Sequence, residues 1–187
     1  MHHKLKLTSE ARKDIGWWNA SIATHDGVTW LDVDWCSSES IYFYTDASDM
    51  AASAVFQASW VVWEFSGTSA WMKQMPIAWR ELFAIVLCVS VFGPRMTDKV
   101  VKMYTDNQAV LYCINTGTSK DVHLMSLLRS LYYYTTLYKV IYKAYWVSTK
   151  DNGPSDSLSR LQYDRFRGLC PQADLLMTQP NTVLLDF

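Results

Sequence analysis

Two apolar, β-branched and aromatic runs in this chain stop on the same tripeptide. IYFYTDA (41–47) and KVVKMYTD (99–106) both close on Tyr-Thr-Asp, and the second passes at once into the helical pattern NQAVLYCINTG (107–117). A nearly unbroken apolar run suits a central strand buried on both faces, and a strand that hands over directly to a helix is the building unit of a mixed α/β sheet. Two such strands in one small domain restrict the fold to a sheet with helices packed on it. They also place two carboxylates at carboxyl ends of strands, where open α/β sheets hold their ligands.

The remaining pattern fills in that frame. LTSEARKDIGWWNASI (7–22) reads as an amphipathic helix with Ser9 as N-cap and Ile15, Trp18 and Ile22 at helical spacing. A polar connector follows over 24–40. MAASAVFQASWVVWEFSG (50–67) and SAWMKQMPIAW (69–79) read as further strands separated by a turn at Gly67. WRELFAIVLCVSVFG (79–93) is a helix entered after Pro76 and stopped by Gly93-Pro94. A helix over 121–138, a strand over 139–148 and a last helix over 154–166 complete the order. Three strands, a helix, a strand, two helices, a strand and a helix describe an α/β sandwich around a mixed sheet.

Composition removes several alternatives. Half of the 187 residues are apolar and 19% are charged, which is globular. A net charge of −1 gives no global basic field, so a nucleic-acid partner must be held by local patches. The apolar run LFAIVLCVSVFG (82–93) is too short to span a bilayer, and no signal-peptide core opens the chain. Cys36, Cys88, Cys113 and Cys170 are widely spaced, so neither a zinc site nor a disulfide framework is indicated. The expected setting is reducing and intracellular, cytoplasmic or nuclear, with no membrane partner.

Four acids stand out. Taken singly, Asp46 and Asp106 are explained as turn formers or helix caps, and Asp156 as a residue favouring the dipole at the start of the last helix. Glu81 is harder to explain, because it shares a helical face with Ala84, Ile85 and Cys88 in a helix that is apolar almost all round. A carboxylate buried there needs a cation or a nearby arginine; Arg80, adjacent in sequence, faces elsewhere, and an ion pair with another base is the plainer alternative. If strands 41–47 and 99–106 are parallel neighbours, Asp46 and Asp106 lie side by side and the helix of Glu81 packs over them. Converging carboxylates repel unless divalent cations sit among them, and hard oxygen ligands favour Mg²⁺ or Mn²⁺. Two-metal phosphodiester hydrolysis is the chemistry that uses such a cluster.

The blocks YTDAS (44–48), WRELFAI (79–85), YTDNQAV (104–110) and DNGPSDSLSR (151–160) resemble, in order and spacing, those of ribonuclease H domains. More narrowly they are similar to the domains in polyproteins of DIRS-type retrotransposons, which carry tyrosine recombinases. TGTSKDVHLMSLLRSL (116–131), DSLSRLQYDRF (156–166) and EARKDIGWWNASIATHDGVTWL (10–31) extend the resemblance over almost the whole chain. It implies a ribonuclease H-like α/β fold, a five-stranded mixed sheet flanked by helices. By the same resemblance Asp46, Glu81, Asp106 and Asp156 form the catalytic metal set for two Mg²⁺ or Mn²⁺ ions. Ser48, Asn107, Gln108, Asn152 and Trp146 fall at or near the substrate. The substrate would be an RNA–DNA hybrid, cut on its RNA strand to 3′-hydroxyl and 5′-phosphate ends during retroelement reverse transcription, with a reverse transcriptase domain adjacent in the polyprotein. The implied division is a connection segment over 1–40, the ribonuclease H-like domain over 41–162 and a tail or linker over 163–187.

Two departures modify these expectations. Trp146 stands where the family has a histidine, ten residues before the last acid, which implies reduced turnover. Ala51 and Ser53 replace glycines after the first acid, small enough to keep a close backbone approach. Two rival readings fit the same residues: a catalytically weak or inactive relic that binds nucleic acid or protein, and a structural module of a reverse transcriptase.

Overall fold

The computed structural model describes residues 6–22 and 40–180. The elements are α1 (Ser9–Ser21), β1 (Ile41–Ala47), β2 (Ala51–Phe56), β3 (Ser59–Glu64), a 3₁₀ segment (Gly67–Gln74) and α2 (Ile77–Phe92). A short 3₁₀ turn (Gly93–Met96) leads to β4 (Val100–Thr105), α3 (Gln108–Thr116), α4 (Val122–Leu137), β5 (Ile141–Trp146), α5 (Gly153–Ser159) and α6 (Tyr163–Leu169). All five strands form one sheet in the order β3-β2-β1-β4-β5. β1 to β3 run antiparallel in turn, while β1, β4 and β5 are parallel. This is the five-stranded mixed sheet flanked by helices that the ribonuclease H resemblance implies.

Strand alternation gives the sheet two unlike faces. Phe43, Ala52, Ala54, Phe56, Val61, Val101 and Met103 point towards α2, α3 and α4 and make the main core. On the other face Ala51, Val55, Trp60 and Val62 meet Leu158 of α5 and Phe166 of α6 in a smaller cluster. α2 is buried along most of its length. With the following turn it forms an apolar stretch, Ile77–Met96, whose length and composition would suffice to cross a membrane, but 72% of its most apolar window is buried inside the domain. It is the central core helix.

Several local expectations change. Residues 69–79 do not form a strand: Gly67–Gln74 coils into the 3₁₀ segment, and α2 begins after Pro76. The hairpin between β2 and β3 turns at Gln57, φ +58°, not at Gly67. α1 is capped by Thr8, not Ser9, and its buried contact is Trp17 against Tyr132 of α4. Ile15, Trp18 and Ile22 are exposed. α3 closes on Gly117 in the left-handed region, φ +65°, as a C-terminal glycine should. The single last helix is two helices, broken where Leu161 takes φ +57°. The stretch from residue 163, read from sequence as a tail, packs against the sheet as far as it is described. Asp174 and Thr178 N–H groups donate to the Ala58 and Trp60 carbonyls, which covers part of edge strand β3. Cys36 and nearly all of the 24–40 connector lie outside the described residues.

Candidate metal centre

The parallel register sets Tyr44 opposite Tyr104, so the two Tyr-Thr-Asp runs lie side by side at one sheet end. Both threonines are fully buried. Thr45 Oγ1 faces the Tyr104 carbonyl at 3.5 Å, and Thr105 Oγ1 accepts from Asn107 N–H at 3.2 Å. The tyrosines stack at 5.0 Å with Tyr42 and Tyr145 alongside, on the α5 side of the sheet. The two aspartates are thereby delivered from adjacent rigid strands.

Glu81, in the second turn of α2, reaches the same point. Its Oε1 accepts from Ala47 N–H at 3.3 Å, and its Oε2 is buried with no hydrogen-bond partner. One carboxylate oxygen each from Asp46, Glu81 and Asp106 lie within 4.8 Å of one another. Burial, then the neighbouring Asp46 and Asp106 charges, push the Glu81 carboxyl up. Burial likewise raises Asp46, reinforced by Asp106 and Asp156 and opposed by a hydrogen bond from Ser159. Such a group keeps its proton until a cation replaces it.

Asp156 is nearby but lies outside the group of three. Ser159 links them, donating to Asp46 Oδ2 and to the Asp156 carbonyl. Asp156 Oδ1 accepts from Arg160 Nε and Oδ2 from Arg165 Nη1, each at 2.7 Å. Burial alone would raise this carboxyl, but the two arginines outweigh it and hold it below the usual range.

The other expected site residues divide into framework and surface. Asn152 is fully buried, its Nδ2 donating to the Thr45 carbonyl at 2.8 Å, which ties the β5–α5 loop to β1. Asn107 caps α3 by accepting from the Ala109 and Val110 N–H groups. Ser48 Oγ donates to the Ser159 carbonyl at 2.6 Å, and its own carbonyl accepts from Arg80. Gln108 is exposed in the first turn of α3. Trp146 is 54% exposed, and its register partner is Thr105, on the α3 side of the sheet. Thr149, three residues further on, is the loop residue that touches the cluster, donating to Asp106 Oδ2 at 2.8 Å. Ser53 Oγ donates to the Ser155 carbonyl at 2.9 Å, seating α5 on β2.

Thr149, Ser159, Arg160 and Arg165 have no role in the sequence expectations, whereas Arg80, expected to face away from Glu81, bonds to Ser48 and Asp49. The DSLSR block does carry a signal for two of them, since residues three and four after Asp156 share its helical face. Nothing local marks Arg165, which arrives only through the break between α5 and α6.

No protein-family model matches the chain, and no curated protein matches it. Among solved structures it is similar to ribonuclease H1 from the halophilic archaeon Halobacterium salinarum NRC-1, at 16% identity and a TM-score of 0.47, over 67% of this chain and 98% of that one.

Proposed function

We propose that the protein is a divalent-metal-dependent endonuclease that hydrolyses the RNA strand of RNA–DNA hybrids. The observation that carries this reading is the Glu81 carboxylate, buried with one oxygen unpartnered in a cluster with Asp46 and Asp106. An acid so placed is costly without a cation, and an all-carboxylate set suits Mg²⁺ or Mn²⁺. Asp46, Glu81 and Asp106 would hold a first ion, and Asp156, linked to Asp46 through Ser159, would serve a second. Bound divalent ions supply Lewis acidity to the attacking water and to the leaving 3′ oxygen.

The protein's own groups supply the rest. Thr149 orients Asp106, Ser159 orients Asp46, and the Ala47 N–H orients Glu81. The Tyr42, Tyr44, Tyr104 and Tyr145 rings, with Lys102 and Lys143 on the same sheet face, support a nucleic-acid surface beside the acids. Gln108 and Trp146 would meet the hybrid, whose 2′-hydroxyls on one strand only distinguish RNA from DNA. Asn107, Asn152 and Ser48 would act through the framework. The Trp146 indole has one N–H and no acceptor, so it cannot relay a proton as imidazole does, and turnover is slow. The exposed apolar residues Ile15 and Trp18 on α1, with Ile22 just after it, support an adjacent reverse transcriptase domain. The arginine partners of Asp156 favour the rival reading, a module that binds hybrid without turnover.

An end-labelled hybrid and a DNA duplex, incubated with metal-stripped protein, separate these readings. Cleavage of the RNA strand alone, only after Mg²⁺ or Mn²⁺ is added, is expected. Asp106→Asn should slow it by at least ~100-fold, since losing even a group that supports a metal ligand costs about 10- to 100-fold. Hybrid binding without cleavage selects the rival, and DNA-strand cleavage removes the substrate assignment.

A further inference from the structure

Asp156 differs from the other three acids in that both of its oxygens already have cationic partners. The backbone makes this so. α5 ends at Ser159, the Gln162 N–H bonds back to the Ser157 carbonyl at 2.8 Å, and α6 starts at Tyr163, which folds Arg165 over the first turn of α5. The Asp156 side chain is only 10% exposed, whereas those of Arg160 and Arg165 are 53% and 49% exposed. Arg165 has one further contact, to Gln162 Oε1 at 3.2 Å. Two guanidinium groups therefore stand half in solvent next to the acid cluster, each carrying five N–H donors of which few are engaged.

We propose that Arg160 and Arg165 latch Asp156 and that a backbone phosphate of bound nucleic acid opens the latch. The phosphate takes over the two guanidinium groups, and the released carboxylate completes a second cation site beside Asp46. This rests on the metal-dependent reading of the site. Guanidinium forks match phosphate and carboxylate equally well, so one anion replaces another with the same hydrogen-bond geometry. A buried carboxylate stripped of both partners is unfavourable, so release is coupled to arrival of a cation. Phosphate and second cation then bind cooperatively, and the coupling is reciprocal. Arg160 and Arg165 are positioning residues in this scheme: they gate a ligand and take no part in bond making.

The test uses the full chain, stripped of metal, and counts Mn²⁺ bound by following the free-ion spin-resonance signal. Wild type should bind one ion readily without nucleic acid. Arg160→Gln/Arg165→Gln should take up a second ion at about 10-fold lower Mn²⁺ than wild type needs, a typical coupling size. In Ca²⁺, its affinity for hybrid should fall, with the slope of log K against log salt smaller by roughly one, for the one phosphate no longer neutralised. Where that double variant does not fold, Arg165→Lys keeps the charge without the fork and should shift both readouts in the same direction by less. A folded variant that binds Mn²⁺ as wild type does overturns the latch, even if its hybrid affinity falls, because the arginines are then phosphate contacts only. One ion bound equally by both proteins leaves the metal-dependent reading standing. No ion bound by wild type removes that reading and the latch together.

Discussion

Asp46 and Glu81 are the residues whose chemistry depends most on the fold. Burial raises both carboxyls, Asp46 to about 7 with the Asp106 and Asp156 charges adding to it, and Glu81 to about 9 with the Asp46 and Asp106 charges adding to it. A carboxyl raised in the folded state binds its proton more tightly there than in the unfolded chain, where values are about 4. Its stabilising effect is complete below the unfolded value and disappears as pH rises through the folded one. Metal-free protein should therefore lose melting temperature steadily between about pH 5 and pH 9, and Mg²⁺ should flatten that fall. Asp156 has the opposite sign: its depressed value adds stability above about pH 4, lost in acid. Melting curves in chelator across this range check the argument, and a flat or rising trend in metal-free protein contradicts it. Identity was legible at this scale and partnership was not. The acids could be read because each closes a strand or interrupts an apolar helix. Thr149, Arg80 and Arg165 could not, because their partners Asp106, Ser48 and Asp156 are reached only through loop geometry.

Among the elements, those with long, regular periods were readable and those set by tertiary contact were not. β1 runs over the expected residues, and α2, α3 and α4 fall within two residues of expectation. The 3₁₀ segment after β3 carries the same aromatic residues as a strand, so composition could not distinguish them. On α1 the spacing of Ile15, Trp18 and Ile22 suggested the buried face, but docking on α4 buries Trp17 instead, with Asp14 paired to Arg129. Gly93 shows how closely these helices are joined. A Cβ built on it would stand 2.1 Å from the Tyr138 ring at the end of α4. Gly93→Ala should cost about 1–3 kcal/mol by overpacking. Adding Tyr138→Ala should recover part of that loss in denaturant unfolding, whereas a full-strength Gly93→Ala protein would show that the ring moves aside freely.

Across the whole molecule, the sheet order explains why four acids far apart in sequence meet. Parallel pairing of β1 with β4 puts Asp46 beside Asp106, α2 crosses that sheet end with Glu81, and α5 closes the other face with Asp156. β1 was legible as a nearly unbroken apolar run and β4 by its alternation, while their parallel pairing was posed only as a condition, which the register meets. The docking of residues 163–180 on β3 was not legible, since Pro171 and Pro180 read locally as linker. The near-zero net charge gives no global field, so a cation would be drawn by the local grouping of Asp46, Glu81 and Asp106. Thermal melting of metal-stripped protein, with and without Mg²⁺ and for wild type beside Asp106→Asn, tests this most directly. An ion at 100 times its dissociation constant adds about 2.7 kcal/mol, or about 5–10 °C for a chain of this size. Wild type should show that rise; metal-free Asp106→Asn should start at a higher melting temperature through relieved repulsion and gain little further from Mg²⁺. Equal shifts in the two proteins, or none in wild type, would contradict a metal site shared by Asp46, Glu81 and Asp106.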